Sequence, residues 1–166
     1  SGENARKLLD GFHGYLTTDA YAGYDKVPDI KRALCWAHCR RYLVESIPLD
    51  TKGKEIPGSK GAEGREHIDL LFKVEDEIRD LPYEEKKQKR QDASQPILDA
   101  FWAWVEKTSA MHTTNEKLTR ALGYCQNQRK YLETFLEDDR IPLSNNYCEA
   151  NIKPFATARR AWLFAD

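Results

Sequence analysis

The spacing of apolar residues changes along this chain, and each change marks a different kind of element. Ala5, Leu8, Leu9 and Phe12 recur at helical spacing, which predicts a short helix over Ser1 to Phe12. Tyr15-Leu16-Thr17-Thr18 is β-branched and aromatic, and reads as a short strand. Asp19 stands at its exit, Ala20 to Lys26 is long enough for about two helical turns, and Pro28 closes that piece. Lys31 to Trp36 is a second, mostly apolar run that predicts another strand. Strand, short helix, strand is a βαβ-like unit, and in such sheets chemistry gathers beyond the carboxyl ends of the strands. Asp19 and the pair Cys35-x-x-His38 are both placed that way.

The pattern then turns helical. Tyr42-Leu43-Val44 continues as a helix that stops near Pro48, and Pro48 to Gly64 holds so many glycines and prolines that it predicts an exposed loop. Ile68, Leu71, Val74, Ile78 and Leu81 form an apolar stripe on one helix face. Tyr83 to Ser94 is charged, with Glu84 and Gln88, and Glu85 and Lys89, four residues apart, and predicts a solvated helix. Pro96 interrupts or kinks the chain before Ile97, Leu98, Phe101, Trp102 and Val105, whose helical spacing points to core packing rather than base stacking. Thr113-x-x-Glu116 reads as a capping box opening a helix with Leu118, Leu122, Cys125, Leu132, Phe135 and Leu136 on one face. That helix is expected to end before Glu137-Asp138-Asp139, since acids oppose the dipole at a helix C-terminus. Ser144 or Asn145 is a candidate cap for a short helix bearing Glu149, which Pro154 ends or bends.

Composition narrows the classes. The 166 residues suit one domain, and 40% hydrophobic with 32% charged residues describes a folded, soluble chain. No apolar run approaches the roughly 20 residues of a membrane span, and the N-terminal residues lack the apolar centre of a signal peptide. Four scattered cysteines do not make a disulfide framework, so a reducing, cytoplasmic location is expected. A net charge of −1 means that any contact with nucleic-acid phosphates is local. Ile141 to Phe164 supplies a modest basic patch, with Lys153, Arg159 and Arg160 against Glu149.

Two chemistries are open on the residues alone. Asp19 and Glu149, brought together by folding, are the type of hard oxygen donor that holds Mg²⁺ for phosphoryl transfer, where two ions about 4 Å apart stabilise the attacking and leaving oxygens. The bland alternative makes Asp19 a turn residue and Glu149 a solvent-facing helix residue. Cys35-x-x-His38 with Cys39 is either half a zinc site, lacking a second pair at comparable spacing, or a buried cysteine beside a histidine that faces the carboxylates or a phosphate.

Four blocks of sequence go further. They are Gly14-Tyr15-Leu16-x-Thr18-Asp19-x-Tyr21-Ala22-Gly23-Tyr24; Cys35-Trp36-Ala37-His38-x-Arg40-Arg41; Ser144-Asn145-Asn146-x-x-Glu149 with Ile152-Lys153-Pro154-Phe155; and Arg159-Arg160-x-Trp162-Leu163-Phe164. In this order they resemble the transposases of the insertion sequence 66 family, and the resemblance covers essentially the whole chain. It implies a ribonuclease H-like core with an Asp-Asp-Glu triad and Mg²⁺ or Mn²⁺, in which water or a DNA 3′-hydroxyl attacks a phosphodiester. Asp19 matches the second acid of that triad and Glu149 the third. Cys35 and His38 resemble the C/D-x-x-H motif that follows the second acid, and Asn145 and Asn146 precede the third. Arg40, Arg41, Lys153, Arg159 and Arg160 are candidates for DNA phosphates by their charge.

The expectation is therefore a mostly helical α/β chain, with a partial ribonuclease H-like core of two strands and a third near Ile141. Core segments 1–47 and 140–166 would flank a loop and helical insertion at 48–139. No residue before Asp19 matches the first acid, since Asp10 lies in a helix-like stretch, so this stretch by itself is expected to bind metal poorly and to cleave nothing. DNA ends, and self-association, are the expected partners, with no membrane; the alternative is a non-catalytic DNA- or protein-binding module derived from a transposase.

Overall fold

A computed structural model describes residues 2–20 and 22–146. In chain order they form α1 (Gly2–Leu8), β1 (Gly14–Thr18), a 3₁₀ turn (Ala22–Lys26), β2 (Ile30–Leu34), α2 (Trp36–Glu45) and α3 (Lys60–Glu77). Then follow α4 (Tyr83–Lys89), a π turn (Arg90–Ser94), α5 (Gln95–Ser109), α6 (Glu116–Leu132) and a second 3₁₀ turn (Glu133–Leu136). The fold is mostly helical around a small parallel sheet. β1 and β2 pair from Gly14 with Ile30 to Thr18 with Leu34, so both strands end at the same edge. The crossover between them carries the 3₁₀ turn where two α-helical turns were expected. Among the described residues there is no third strand, and the stretch around Ile141 is irregular.

The predicted second strand stops two residues short of Trp36, because α2 begins there. Trp36 is fully buried, its indole N–H donates to the Leu132 carbonyl at 2.9 Å, and its ring packs edge-on against Phe101 and Phe135 at 5.5 and 6.4 Å. Leu98, Phe101, Trp102 and Val105 from α5 are buried in the same core, as their spacing predicted, with Leu118, Leu122 and Cys125 of α6. Burying an aromatic ring of this size is worth roughly 2–3 kcal/mol, so this cluster ties the helical region to the strand unit.

Three local expectations need correction. The loop ends at Ser59, whose hydroxyl accepts the Ala62 N–H as N-cap of α3. The residues before Ser59 make a bridged turn, with Leu49 opposite Glu55 and the Asp50 carboxylate accepting the N–H groups of Lys52 and Lys54. Gly61 and Gly64 are helical, because a Cβ on Gly61 would lie 2.5 Å from the Ser46 hydroxyl and 2.9 Å from the Leu43 carbonyl, and one on Gly64 would strike Trp104. Glycine here permits close helix packing rather than a turn. The cap of α6 is Asn115, whose side chain accepts from Leu118 N–H at 3.1 Å, while Thr113 supports it by accepting the Asn115 N–H. The helix does end before Glu137, as expected.

The third correction concerns Tyr83 to Ser94. α4 is exposed, but Arg90 and Ser94 are buried. The backbone stays helical into α5 through the π turn, with Pro96 near the start of α5. A proline lacks the N–H of the regular ladder and crowds the carbonyl four residues back. The wider π turn accommodates the proline, with the Gln95 N–H reaching back five residues to the Arg90 carbonyl.

Candidate functional site

Asp19 is exposed at the carboxyl end of β1, the edge where a parallel sheet leaves strand termini open. Two clefts meet at it. One, of about 370 Å³, is shared by Asp19, His38, Arg41, Tyr42, Glu45 and Arg120; the other, of about 340 Å³, is shared by Asp19, Thr18, Tyr24 and Asn145. Four of the residues singled out by sequence (Asp19, His38, Arg41 and Asn145) are therefore gathered within one region, from elements more than a hundred positions apart.

Cys35 is the joint. Its N–H donates to the Thr18 carbonyl at 3.2 Å, which carries the end of β2 across to the end of β1. Its buried sulfur lies 3.6 Å from the Ser144 hydroxyl and accepts the Asn145 N–H at 3.5 Å. Next to it, the Trp36 N–H donates to the Leu143 carbonyl at 3.0 Å. Residues 143–145 are thus docked directly behind Asp19, two to four positions after the irregular stretch at Asp138 to Ile141. The Ser144 hydroxyl also accepts the Asn146 N–H at 3.1 Å.

Two polar atoms at this place are buried without a described partner: His38 Nδ1 and Asn145 Oδ1. Buried polar groups in folded proteins are almost always bonded, so each is free to bond a group outside the described residues. Cys39, one turn along α2, faces the core instead, its sulfur 3.4 Å from that of Cys125. That contact, and then burial, push its thiol well above the ordinary cysteine range. Among the described residues, no three His, Cys, Asp or Glu side chains are grouped as a metal would need.

Arg32 was read as part of an apolar run, and that reading missed its role. It pairs with Leu16 in the sheet register, and its side chain is 5% exposed. It is ion-paired with Asp25, donates to the Asp19 carbonyl at 3.2 Å and stacks 4.8 Å from the Tyr131 ring. The available signal was its place beside Lys31 in a strand, where neighbouring side chains face opposite sides and one of the two cations must turn inward. Held this way, the backbone at Asp19 is fixed beside the two clefts that the residue lines.

The basic candidates divide. Arg41 is exposed, lines the cleft with Asp19 and makes no ion pair with a described residue. Arg40 is engaged with Asp69 of α3 through two bonds of 2.5 and 3.3 Å, so part of its charge is already answered. Glu149, Lys153, Arg159 and Arg160 lie outside the described residues.

A divalent cation suits the donor type at Asp19 but not yet the donor number. Glu45, the other carboxylate on this cleft, is 3.8 Å from Arg120 and partly answered by it. Two carboxylates on this cleft, one of them partly answered by an arginine, are too few among the described residues to make a cage for Mg²⁺.

The comparisons agree with the motif order. The family model described as "Transposase IS66 family" matches residues 1–166. Among curated proteins, the uncharacterized protein y4hP of Sinorhizobium fredii (strain NBRC 101917 / NGR234) is 32% identical over 99% of this chain and 32% of its own length. The uncharacterized proteins y4qI and y4jD of the same strain are 30% and 26% identical, over 95% and 99% of this chain and 30% and 33% of theirs. The chain spans about a third of the length of these relatives. No solved structure matches. No helix among the described residues is long and apolar enough to cross a membrane. With the family model matching from end to end, this chain belongs to the IS66 family of transposases.

Proposed function

We propose that this chain contributes two acids, Asp19 and Glu149, to the centre of a DNA transposase that cuts and joins phosphodiester strands with Mg²⁺ or Mn²⁺. The observation that carries this reading is the docking of residues 143–145 on Cys35, immediately behind the strand end that presents Asp19. Glu149 follows Asn145 by four positions, so the chain enters the residues that bear it from the edge where Asp19 stands.

Each described group has a task in that reading. Asp19 is an oxygen donor to the cation, held in place through its backbone by Arg32. His38 and Arg41, on the same cleft, meet the phosphate being cut, histidine as a hydrogen-bond donor and arginine as a fixed charge. Asn145 holds the turn that leads to Glu149. The cation, once bound, neutralises phosphate charge and activates the attacking oxygen. A ribonuclease H-like arrangement of the remaining strands, with a first acid on one of them, completes the centre in the intact protein.

Strand nicking of transposon-end DNA by the intact protein tests this. Asp19→Ala and Glu149→Ala should each abolish Mg²⁺-dependent nicking while leaving metal-free DNA binding intact. Nicking at the original rate by Asp19→Ala would remove the catalytic reading, leaving a DNA-binding module of the same ancestry.

A further inference from the structure

The buried guanidinium of Arg90 is the most fully bonded polar group among the described residues. It is 1% exposed, and all five of its N–H directions are used. Nε and Nη2 grip the Glu75 carboxylate at 2.7 and 2.8 Å. Nη1 donates to the carbonyls of Phe135 and Asp138 at 2.8 and 3.1 Å, and Nη2 to that of Ile141 at 2.9 Å. The Phe135 ring lies 5.2 Å from the guanidinium carbon. A 3₁₀ turn and the irregular stretch after it lack a continuous ladder for their carbonyls, and here a side chain from the helical region bonds three of them within seven residues.

Beyond Ile141 the backbone goes straight into the Cys35 joint, through Leu143 and Ser144. The helical region is thus bolted to the stretch that approaches the proposed site. We propose that Arg90 is a positioning residue for the third acid: gripped by Glu75, it sets the path of Phe135 to Ile141 and through it where the chain enters the residues carrying Glu149. The helical insertion is then a working part of the catalytic apparatus. This inference rests on the cleavage reading above.

Lysine cannot reproduce the grip, since it offers three donors on a point charge instead of a planar fork. In the intact protein, Arg90→Lys should raise the Mg²⁺ concentration for half-maximal nicking by roughly tenfold, the size of effect seen when groups behind a metal ligand are altered. Binding of the end DNA without metal should stay within about twofold of the original. Amide hydrogen exchange should speed up at residues 135–146 and stay unchanged at Leu98 and Phe101. Glu75→Gln keeps the side-chain shape and should shift the metal dependence in the same direction by less, which serves if Arg90→Lys does not fold. An unmoved Mg²⁺ dependence in the folded variants, or losses of nicking and DNA binding in equal proportion, overturns the proposal. The Asp19→Ala control separates the two claims. If it still nicks DNA, the cleavage reading fails; if it does not, and the Arg90 and Glu75 variants keep the original metal dependence, the Arg90 proposal alone fails.

Discussion

The sulfur of Cys35 lies 3.6 Å from the Ser144 hydroxyl, across a sequence separation of 109 residues. That contact joins the end of the sheet to the stretch that precedes Glu149 in sequence, at a residue with no exposed surface. Cys35→Ala removes the acceptor of the Asn145 N–H and leaves a small void. It should cost about 1–2 kcal/mol, seen as a lower urea midpoint at unchanged slope. A neutral result would mean that Ser144 and Asn145 are held by other contacts.

Arg32 should behave as a structural clamp on Asp19. Replacing it with Met keeps bulk but removes the bond to the Asp19 carbonyl and the pairing with Asp25. Asp25 is half exposed and can be resolvated, so the loss should be moderate, about 2 kcal/mol by chemical denaturation. A stability equal to the parent would show that the charge inside the strand holds nothing.

Gly61 offers a test where two effects oppose each other. Alanine is favoured over glycine in a helix by about 1 kcal/mol. Its Cβ, however, would sit 2.9 Å from the Leu43 carbonyl and 2.5 Å from the Ser46 hydroxyl, and the carbonyl is backbone that cannot turn aside. Overpacking of this kind costs about 1–3 kcal/mol, so Gly61→Ala should be net destabilising. A rise in midpoint would place α2 and α3 further apart than described.

His67 gives a pH dependence with a definite sign. Burial depresses its pKa below the ordinary 6.5, against the pull of Glu66 and Glu63, and its ring packs edge-on to Phe101 at 6.1 Å. The unfolded chain then binds the proton more readily than the folded one. The stability from neutral His67 is complete above the unfolded pKa and is lost as pH falls below it, through the folded value. The melting temperature should therefore drop between about pH 7 and pH 5, and His67→Phe should flatten part of that drop. An identical slope in the variant would remove His67 as the cause.

How much could be read from the residues differs by element. β1 and the burial of Phe101 and Trp102 were legible, because period and composition agreed with the surroundings in which they fold. Gly61, Gly64 and Arg90 were misread because their conformation depends on partners distant in sequence: Leu43, Trp104, and the carbonyls of residues 135–141. A signal for Arg90 did exist. Arg90, Ser94, Leu98, Phe101 and Val105 step by four, four, three and four, which puts the arginine in line with the buried stripe that continues into α5. Charge alone hid it. At the site, motif order singled out Asp19, His38, Arg41 and Asn145, and the structure gathers them around the end of β1. Which basic residues remain available was not readable, since Arg40 and Arg41 are neighbours in sequence and only Arg40 meets Asp69.

Convergence of Asp19 and Glu149 on one cation is the claim that everything functional rests on. Fe²⁺ can be loaded in place of Mg²⁺ in the intact protein, and the hydroxyl radicals it generates from added hydrogen peroxide cut the backbone nearest the bound ion. Cuts should cluster around residue 19 and around residue 149 together, and both clusters should vanish in Asp19→Ala. Cutting near one acid alone, or a pattern that Asp19→Ala leaves unchanged, would contradict the account.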